Sequence, residues 1–172
     1  MTNQRFPADT VRTPIASPPD VDALVSLINA AFIVERPIFC GDRTSPEGVR
    51  AYLDRGTFLV AEDLNGLAGC VYVELRGDRA YIGLLSVAPA RQGSGLGRVL
   101  MQAAEDFCRE RKCVAVDLRV VSARTPLPAF YRHLGYTETH TSELPADAHP
   151  KIPCHFIHMS KRLEPVLFQN RL

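Results

Sequence analysis

Charge of one sign, long apolar runs and ordered cysteine spacing are all missing from this 172-residue sequence, and each absence removes a class of function. There are 20 basic and 19 acidic residues, a formal net charge of +1, mixed along the chain. With no basic stripe and no acidic tail, nucleic-acid partners are not expected. No apolar stretch reaches the length of a membrane span, and no apolar run follows Met1-Thr-Asn-Gln-Arg-Phe-Pro7. Neither a membrane partner nor a secretory leader is therefore expected, and the expected compartment is the cytoplasm. Cys40, Cys70, Cys108, Cys113 and Cys154 are odd in number and irregularly spaced, mostly inside apolar runs. They read as reduced core residues, not as a disulfide framework or a zinc site, and no metal is expected. His155 and His158 flank two residues of a late strand and point to opposite faces, so they cannot share a metal there.

What is present suits one domain: 46% of the residues are hydrophobic, enough for a sizeable core. Residues 1–10 read as a flexible N-terminal arm, 11–163 as a single domain and 164–172 as a C-terminal tail. Val11 to Ile15 could be a first strand. Val21, Leu24, Val25, Ile28, Ala31 and Phe32 recur at helical spacing behind Asp20, a plausible N-cap, and Ser45-Pro46-Glu47 opens a second helix. Thr57–Glu62, Leu67–Leu75 and Ala80–Val87 are strand-like, separated by turn signals at Asp63–Gly66 and Arg76–Arg79. A helix over Gly97–Lys112, a strand over Val114–Val120, a short helix capped by Thr125 and ended by Gly135, and strands over Tyr136–His140 and Cys154–Lys161 complete the order. The fold class is α/β of the α+β kind, with a mixed, largely antiparallel sheet of about six to seven strands and helices on both faces.

The most informative stretch is Val87-Ala-Pro89 running into Gln92-Gly-Ser-Gly-Leu-Gly97 and then an amphipathic helix. Three glycines let successive N–H groups converge, and the helix start adds unpaired donors and a positive dipole end, which together favour a phosphate anion. No Lys-Ser or Lys-Thr pair follows, which excludes a Walker loop, and from either Gly93 or Gly95 the dinucleotide fingerprint fails at its third position. The surviving pattern, Gln-x-x-Gly-x-Gly, resembles the coenzyme A pyrophosphate loop of the GNAT superfamily of N-acetyltransferases. A second block, Pro126-Leu-Pro-Ala-Phe-Tyr131-Arg-His-Leu-Gly135-Tyr136, resembles the late helix of that superfamily.

The resemblance implies acetyl-CoA as cosubstrate. Its pyrophosphate would be bound at the backbone of Gly93, Ser94, Gly95, Leu96, Gly97 and Arg98, with Gln92 shaping the turn and a Cβ at Gly95 or Gly97 intruding on phosphate space. It also implies a bulged strand at Leu84, Leu85, Ser86 and Val87 that pairs with the pantetheine arm, and Tyr131 as proton donor to the departing thiolate. Arg91 and Arg98 could add charge, or merely be solvated. Arg124 stands where many members carry Asn, so that coenzyme contact is open, and Arg124 could instead meet a phosphate or the acceptor. Relatives often place a carboxylate base on the bulged strand, and Ala80–Val87 has none. Glu74 on the neighbouring strand is the carboxylate candidate, with water relayed by Ser86 or Tyr81 as the alternative.

An amine is a strong nucleophile, so holding it against a thioester accounts for most of the catalysis without a covalent enzyme intermediate. The expected function is direct acetyl transfer to a primary amine of a small molecule. The alternatives are acetylation of protein N-termini or lysines, and a non-catalytic acyl-CoA-binding module. A nicotinamide-dependent oxidoreductase is a more distant alternative, and a homodimer is left open. Segments Val34–Thr44 and Thr141–Pro153 are expected to wall the amine pocket from opposite sides.

Overall fold

Strands rich in apolar residues at both parities need cover on both faces, and Phe58-Leu-Val-Ala61 and Cys70-Val-Tyr-Val73 are such runs. A computed structural model describes residues 11–12 and 20–164. The expected arm (1–10) and all but the first residue of the expected tail (164–172) lie outside the described residues, as do positions 13–15 of the expected first strand. Seven strands form one sheet: β1 (Val11–Arg12), β2 (Thr57–Asp63), β3 (Gly66–Arg76), β4 (Arg79–Val87), β5 (Ala115–Val121), β6 (Thr137–Ser142) and β7 (Phe156–Arg162), in the order β1-β2-β3-β4-β5-β7-β6. Only β4 and β5 pair in parallel, joined by the helix between them.

The helices are α1 (Asp20–Ala31), α2 (Pro46–Leu53), α3 (Leu96–Glu110) and α4 (Pro126–His133). Helices α1 and α2 cover one face, packing Val21, Leu24, Ile28 and Val49 on Phe58, Val60, Cys70 and Tyr72. On the other face, α3 packs Leu96, Leu100, Met101 and Ala104 on Leu59, Ala61, Val71 and Val73, joined by Tyr131 from α4. Adjacent residues of β2 and β3 thus go to opposite cores, as the pleat requires. Among the described residues no helix is long and apolar enough to cross a membrane.

Local chemistry explains the boundaries. Ser45 caps α2, its hydroxyl oxygen accepting from the Gly48 N–H at 3.2 Å with Pro46 at the first helical position. Asp20 is the first residue of α1, and Thr125 makes no side-chain cap on α4. A 3-10 turn over Pro89–Arg91 intervenes between β4 and the glycine loop, because proline cannot continue the strand ladder. His155 precedes β7, so only His158 is a strand residue; its ring stacks on His140 at 4.1 Å.

The α3-side core contains one buried charge. Glu105, 2% exposed, accepts from Lys161 Nζ at 2.7 Å, Arg109 Nη2 at 3.2 Å and the Tyr136 hydroxyl at 3.2 Å. These contacts tie α3 to β7 and to the chain leaving α4. Lys161→Met should therefore cost about 2 kcal/mol, the range for a hydrogen bond to a charged group, whereas Arg132→Met, which breaks only the exposed pair with Glu138, should cost less than about 1 kcal/mol. Urea unfolding of the two variants checks this, and equal midpoints would show that the Glu105 network adds no stability.

Candidate active site

Strand β4 changes phase part-way along. Cys70 pairs with Ser86 and Tyr72 with Gly83, so one residue of β3 faces two of β4, a β-bulge at Leu84 and Leu85. Leu84 takes the left-handed conformation, φ +48°, at a cost on the order of 1–2 kcal/mol. Burying its side chain offsets this by about 1.5–3 kcal/mol. The bulge inverts the faces: Ala80 and Ile82 enter the α3-side core, whereas Leu84 enters the α1-side core and Leu85 and Val87 turn towards α3.

At the same place β5 leaves β4. The parallel ladder stops at Tyr81 and Asp117, while β5 stays paired with β7 as far as Val121. Between the parted strands runs a cleft of about 750 Å³, lined by both of them, the glycine loop, α4, and the segments after α1 and β6.

At the loop end, Gly93 and Gly95 have φ of +76° and +87°, and Gly95 is the N-cap of α3. A Cβ on either would touch no protein atom. Backbone conformation thus selects glycine here, and the space beside it is left for a ligand. At Gly97 a Cβ would meet Phe130, Val87 and Leu85 at 3.8–3.9 Å, ordinary contact, so the protein's own packing leaves room for a methyl group there. Among the described residues the N–H groups of Gly93, Gly95, Leu96 and Gly97 have no backbone acceptor, whereas those of Ser94 and Arg98 bond to Arg91 O and Gly95 O. Gln92 donates its side-chain amide to Val87 O at 3.2 Å and fixes the turn. Ser94 turns its hydroxyl to Arg91 O. Arg98 lines the cleft, exposed and without a carboxylate partner among the described residues, while Arg91 is paired with Asp63. Unpaired donors, open space and a free guanidinium suit a pyrophosphate.

Mid-cleft, Tyr131 is held by edge-to-face contacts with Phe130 and Tyr136, at 5.1 and 5.8 Å between ring centroids. Its hydroxyl makes no hydrogen bond among the described residues, yet it is not a sealed, unsatisfied atom; it opens on the cleft that the residue lines. Burial pushes its pKa up, so it stays protonated at neutral pH.

Three candidates fall outside the cleft lining: Ser94, whose hydroxyl is turned to Arg91 O, Ser86 and Glu74. The Ser86 side chain is buried and donates to Leu84 O at 2.9 Å, bracing the bulge. Glu74 accepts from Arg76 Nε at 2.8 Å and the Tyr72 hydroxyl at 3.0 Å, and these bonds, Arg76 foremost, hold its carboxyl below the usual range. A stabilised carboxylate turned away from the cleft is a poor base.

The buried carboxylate in the cleft is Glu35, in the 3-10 turn after α1 and 7% exposed; Asp42, also in the lining, is exposed. Its Oε1 accepts from Arg124 Nη1 at 3.2 Å, and Arg124 also acts electrostatically on Tyr131. Burial raises the Glu35 pKa more than Arg43 and Arg124 lower it. Nothing in the sequence marked it, since an acid near the end of a helix is ordinarily solvated. The walls also differ from expectation. The segments after α1 and β6 both line the cleft, but they are stitched to one another: Lys151 donates its N–H to Ile38 O and its Nζ to Arg36 O, both at 2.7 Å.

Residues 21–136 match the sequence profile of the Acetyltransferase (GNAT) family. The chain belongs to that family. The match takes in α1, the bulged strand, the glycine loop and Tyr131. Among curated relatives of this GNAT chain, the mycothiol acetyltransferase of Clavibacter sepedonicus is 36% identical over 89 residues, 51% of this chain and 29% of that protein. The streptothricin acetyltransferase of Streptomyces lavendulae is 39% identical over 74 residues, 43% of this chain and 39% of that protein. The chain thus spans well under half the length of either relative. Among solved structures, the ribosomal-protein-S18-alanine N-acetyltransferase of Escherichia coli superposes with a TM-score of 0.71 at 18% identity, covering 95% of this chain and 98% of that one. At that identity it is the GNAT fold that the two share.

Gly95→Val should leave a folded protein with weakened acetyl-CoA binding, because the side chain fills the cradle and disturbs its donors. Losing one charge-assisted hydrogen bond is worth about 1.5–3 kcal/mol, so affinity should fall at least ~10-fold. Calorimetric titration beside a thermal melt checks it, and unchanged affinity would place the pyrophosphate elsewhere.

Proposed function

We propose that this chain transfers an acetyl group from acetyl-CoA directly to a primary amine of a small molecule. The observation that carries the reading is the continuity of the cleft, from the four unpaired N–H groups of the glycine loop, past the bulge, to the Tyr131 hydroxyl and Glu35. The loop and Arg98 bind the pyrophosphate, and the exposed edge of β4 beyond Tyr81 aligns the pantetheine arm beside Leu85 and Val87. The amine nitrogen attacks the thioester carbon, the C–S bond breaks, and the thiolate takes the proton of the Tyr131 hydroxyl. Glu35 accepts the proton that the amine loses. Its burial makes it a stronger base than an exposed carboxylate, and Arg124 keeps it oriented.

Two features support a small acceptor. The segments joined through Lys151 both line the acceptor end, and their joining favours a small acceptor over an extended polypeptide. The relative from Streptomyces lavendulae is named for streptothricin, itself an acceptor outside the protein class.

Release of free thiol from acetyl-CoA over a panel of amines tests the reading: an acetyltransferase releases thiol only when a suitable amine is present, whereas a binding module releases none. Tyr131→Phe should lower kcat by ~10²–10⁴-fold, the usual contribution of general acid catalysis, with little change in acetyl-CoA affinity. Wild-type turnover in that variant, with chemistry rate-limiting, would return Tyr131 to packing.

The raised pKa of Glu35 gives a pH test. Its ionised form is present above that pKa and lost as pH falls through it, a step lying above the ordinary glutamate value of 4.5. The wild-type kcat/KM should therefore drop more steeply on the acid side than amine protonation alone requires, and Glu35→Gln should abolish the extra steepness while lowering the plateau. Superimposable profiles would remove Glu35 from proton transfer.

A further inference from the structure

The acceptor end of the cleft carries more arginine than its carboxylates can neutralise. Four arginines line it, Arg36, Arg43, Arg119 and Arg124, against two acids, Glu35 and Asp42. Arg124 is spent on Glu35 and Arg36 lies 3.8 Å from Asp42. Arg43 and Arg119 have no ion pair among the described residues. The nearest acid on the Arg119 strand, Asp117, is held by the Arg79 guanidinium through both oxygens. Arg43 makes no ion pair with Glu35, yet its charge lowers the pKa of that carboxyl more than the charge of Arg124 does.

Both unpaired guanidiniums are nevertheless held. Arg43 sits over the Phe32 ring, 5.2 Å from its centroid, and Arg119 over Phe156 at 4.3 Å. Stacking on an aromatic face orients a guanidinium while leaving its edge N–H donors available, the arrangement that suits two-point recognition of a carboxylate. Both line the cleft together with Tyr81, and the charge of each favours the ionised form of the Tyr81 hydroxyl, although burial raises its pKa overall. Gly83 allows this placement, because a Cβ there would lie 2.9 Å from the Tyr81 ring. Tyr81 stands where β4 and β5 part, and its ring packs against the α1-side core.

We propose that Arg43, Arg119 and the Tyr81 hydroxyl form a carboxylate-binding subsite, so that the acceptor is an amine carrying a carboxylate in the same small molecule, a zwitterion of the amino-acid kind. The inference rests on the N-acetyltransferase reading and adds the acceptor's chemical class. With the carboxylate on the arginine pair, the acceptor's nitrogen is left for Glu35 and the thioester. A polycationic acceptor would instead meet two uncompensated positive charges.

The test measures thiol release from acetyl-CoA with three matched sets: the twenty standard amino acids, their carboxamides, and the corresponding amines lacking the carboxyl group. Amino acids should form the preferred set, by ~10- to 100-fold in kcat/KM, the worth of one hydrogen bond to a charged group. Arg119→Met and Arg43→Met should each raise KM for the carboxylate acceptor and shrink its advantage over the carboxamide, with calorimetric acetyl-CoA affinity unchanged. Arg119→Lys should restore part of the advantage, since it keeps the charge but loses the fork. Thiol release with carboxamides or simple amines as good as or better than with amino acids would overturn the subsite and leave the acetyltransferase reading standing. So would arginine variants that retain the full preference. No thiol release with any amine in the three sets would overturn the acetyltransferase reading itself, and the subsite with it.

Discussion

The parting of β4 from β5 is the constraint on which the rest of the molecule depends. A parallel pair buried on both faces would ordinarily continue to the end of the shorter strand, each ladder bond adding to the next. Here the ladder stops at Tyr81 and Asp117, and the left-handed Leu84, three residues beyond Tyr81, throws the remainder of β4 out of phase. The bulge stays formed because both of its consequences are stabilising: Leu84 is buried among α1-side residues and Ser86 braces it from beneath. The outcome is an opening in the middle of a sheet whose two cores remain intact on either side.

Placement of every site group follows from that opening. The glycine loop lies at the end of β4 and Tyr131 beyond the end of β5, on opposite lips of the gap, so one extended ligand can touch both. The segment after α1 and the one after β6 reach over the other end and are held to each other by Lys151. Electrostatics divide along the same axis. Unpaired N–H groups and Arg98 occupy one end, an apolar middle surrounds the Tyr131 hydroxyl, and the acceptor end combines a buried carboxylate with an excess of guanidinium. Each region has the polarity that one part of the proposed reaction needs, and the low dielectric of the middle keeps Tyr131 protonated.

Two features of the family's pattern are absent from the sequence. The bulged strand has no carboxylate, and an arginine stands seven residues before Tyr131 in place of an asparagine. In the folded chain this arginine crosses the cleft to a glutamate 89 positions earlier. The arginine that departs from the pattern is thus one half of an ion pair in the cleft.

The sequence by itself determined the element order, the two-sided sheet, the glycine loop and the position of Tyr131. All of these rest on local information: alternation and helical spacing decide which face of an element is buried, proline and glycine fix where the chain must turn, and Gln92 to Gly97 form a cradle largely from their own backbone. The sequence also directed attention to Glu74 and Ser86, whose residue types and neighbourhood suit the chemistry but whose side chains the tertiary structure turns away. Only the tertiary structure decided that Glu35 is the buried acid in the cleft, that Arg124 is its partner, and that Arg43, Arg119 and Tyr81 line the same cleft. These residues come from the segment after α1, the strand β4, the strand β5 and the loop after it. Their proximity is set by how far the sheet opens and how α1 packs on it, and no spacing along a chain encodes a distance that depends on the packing of elements between them.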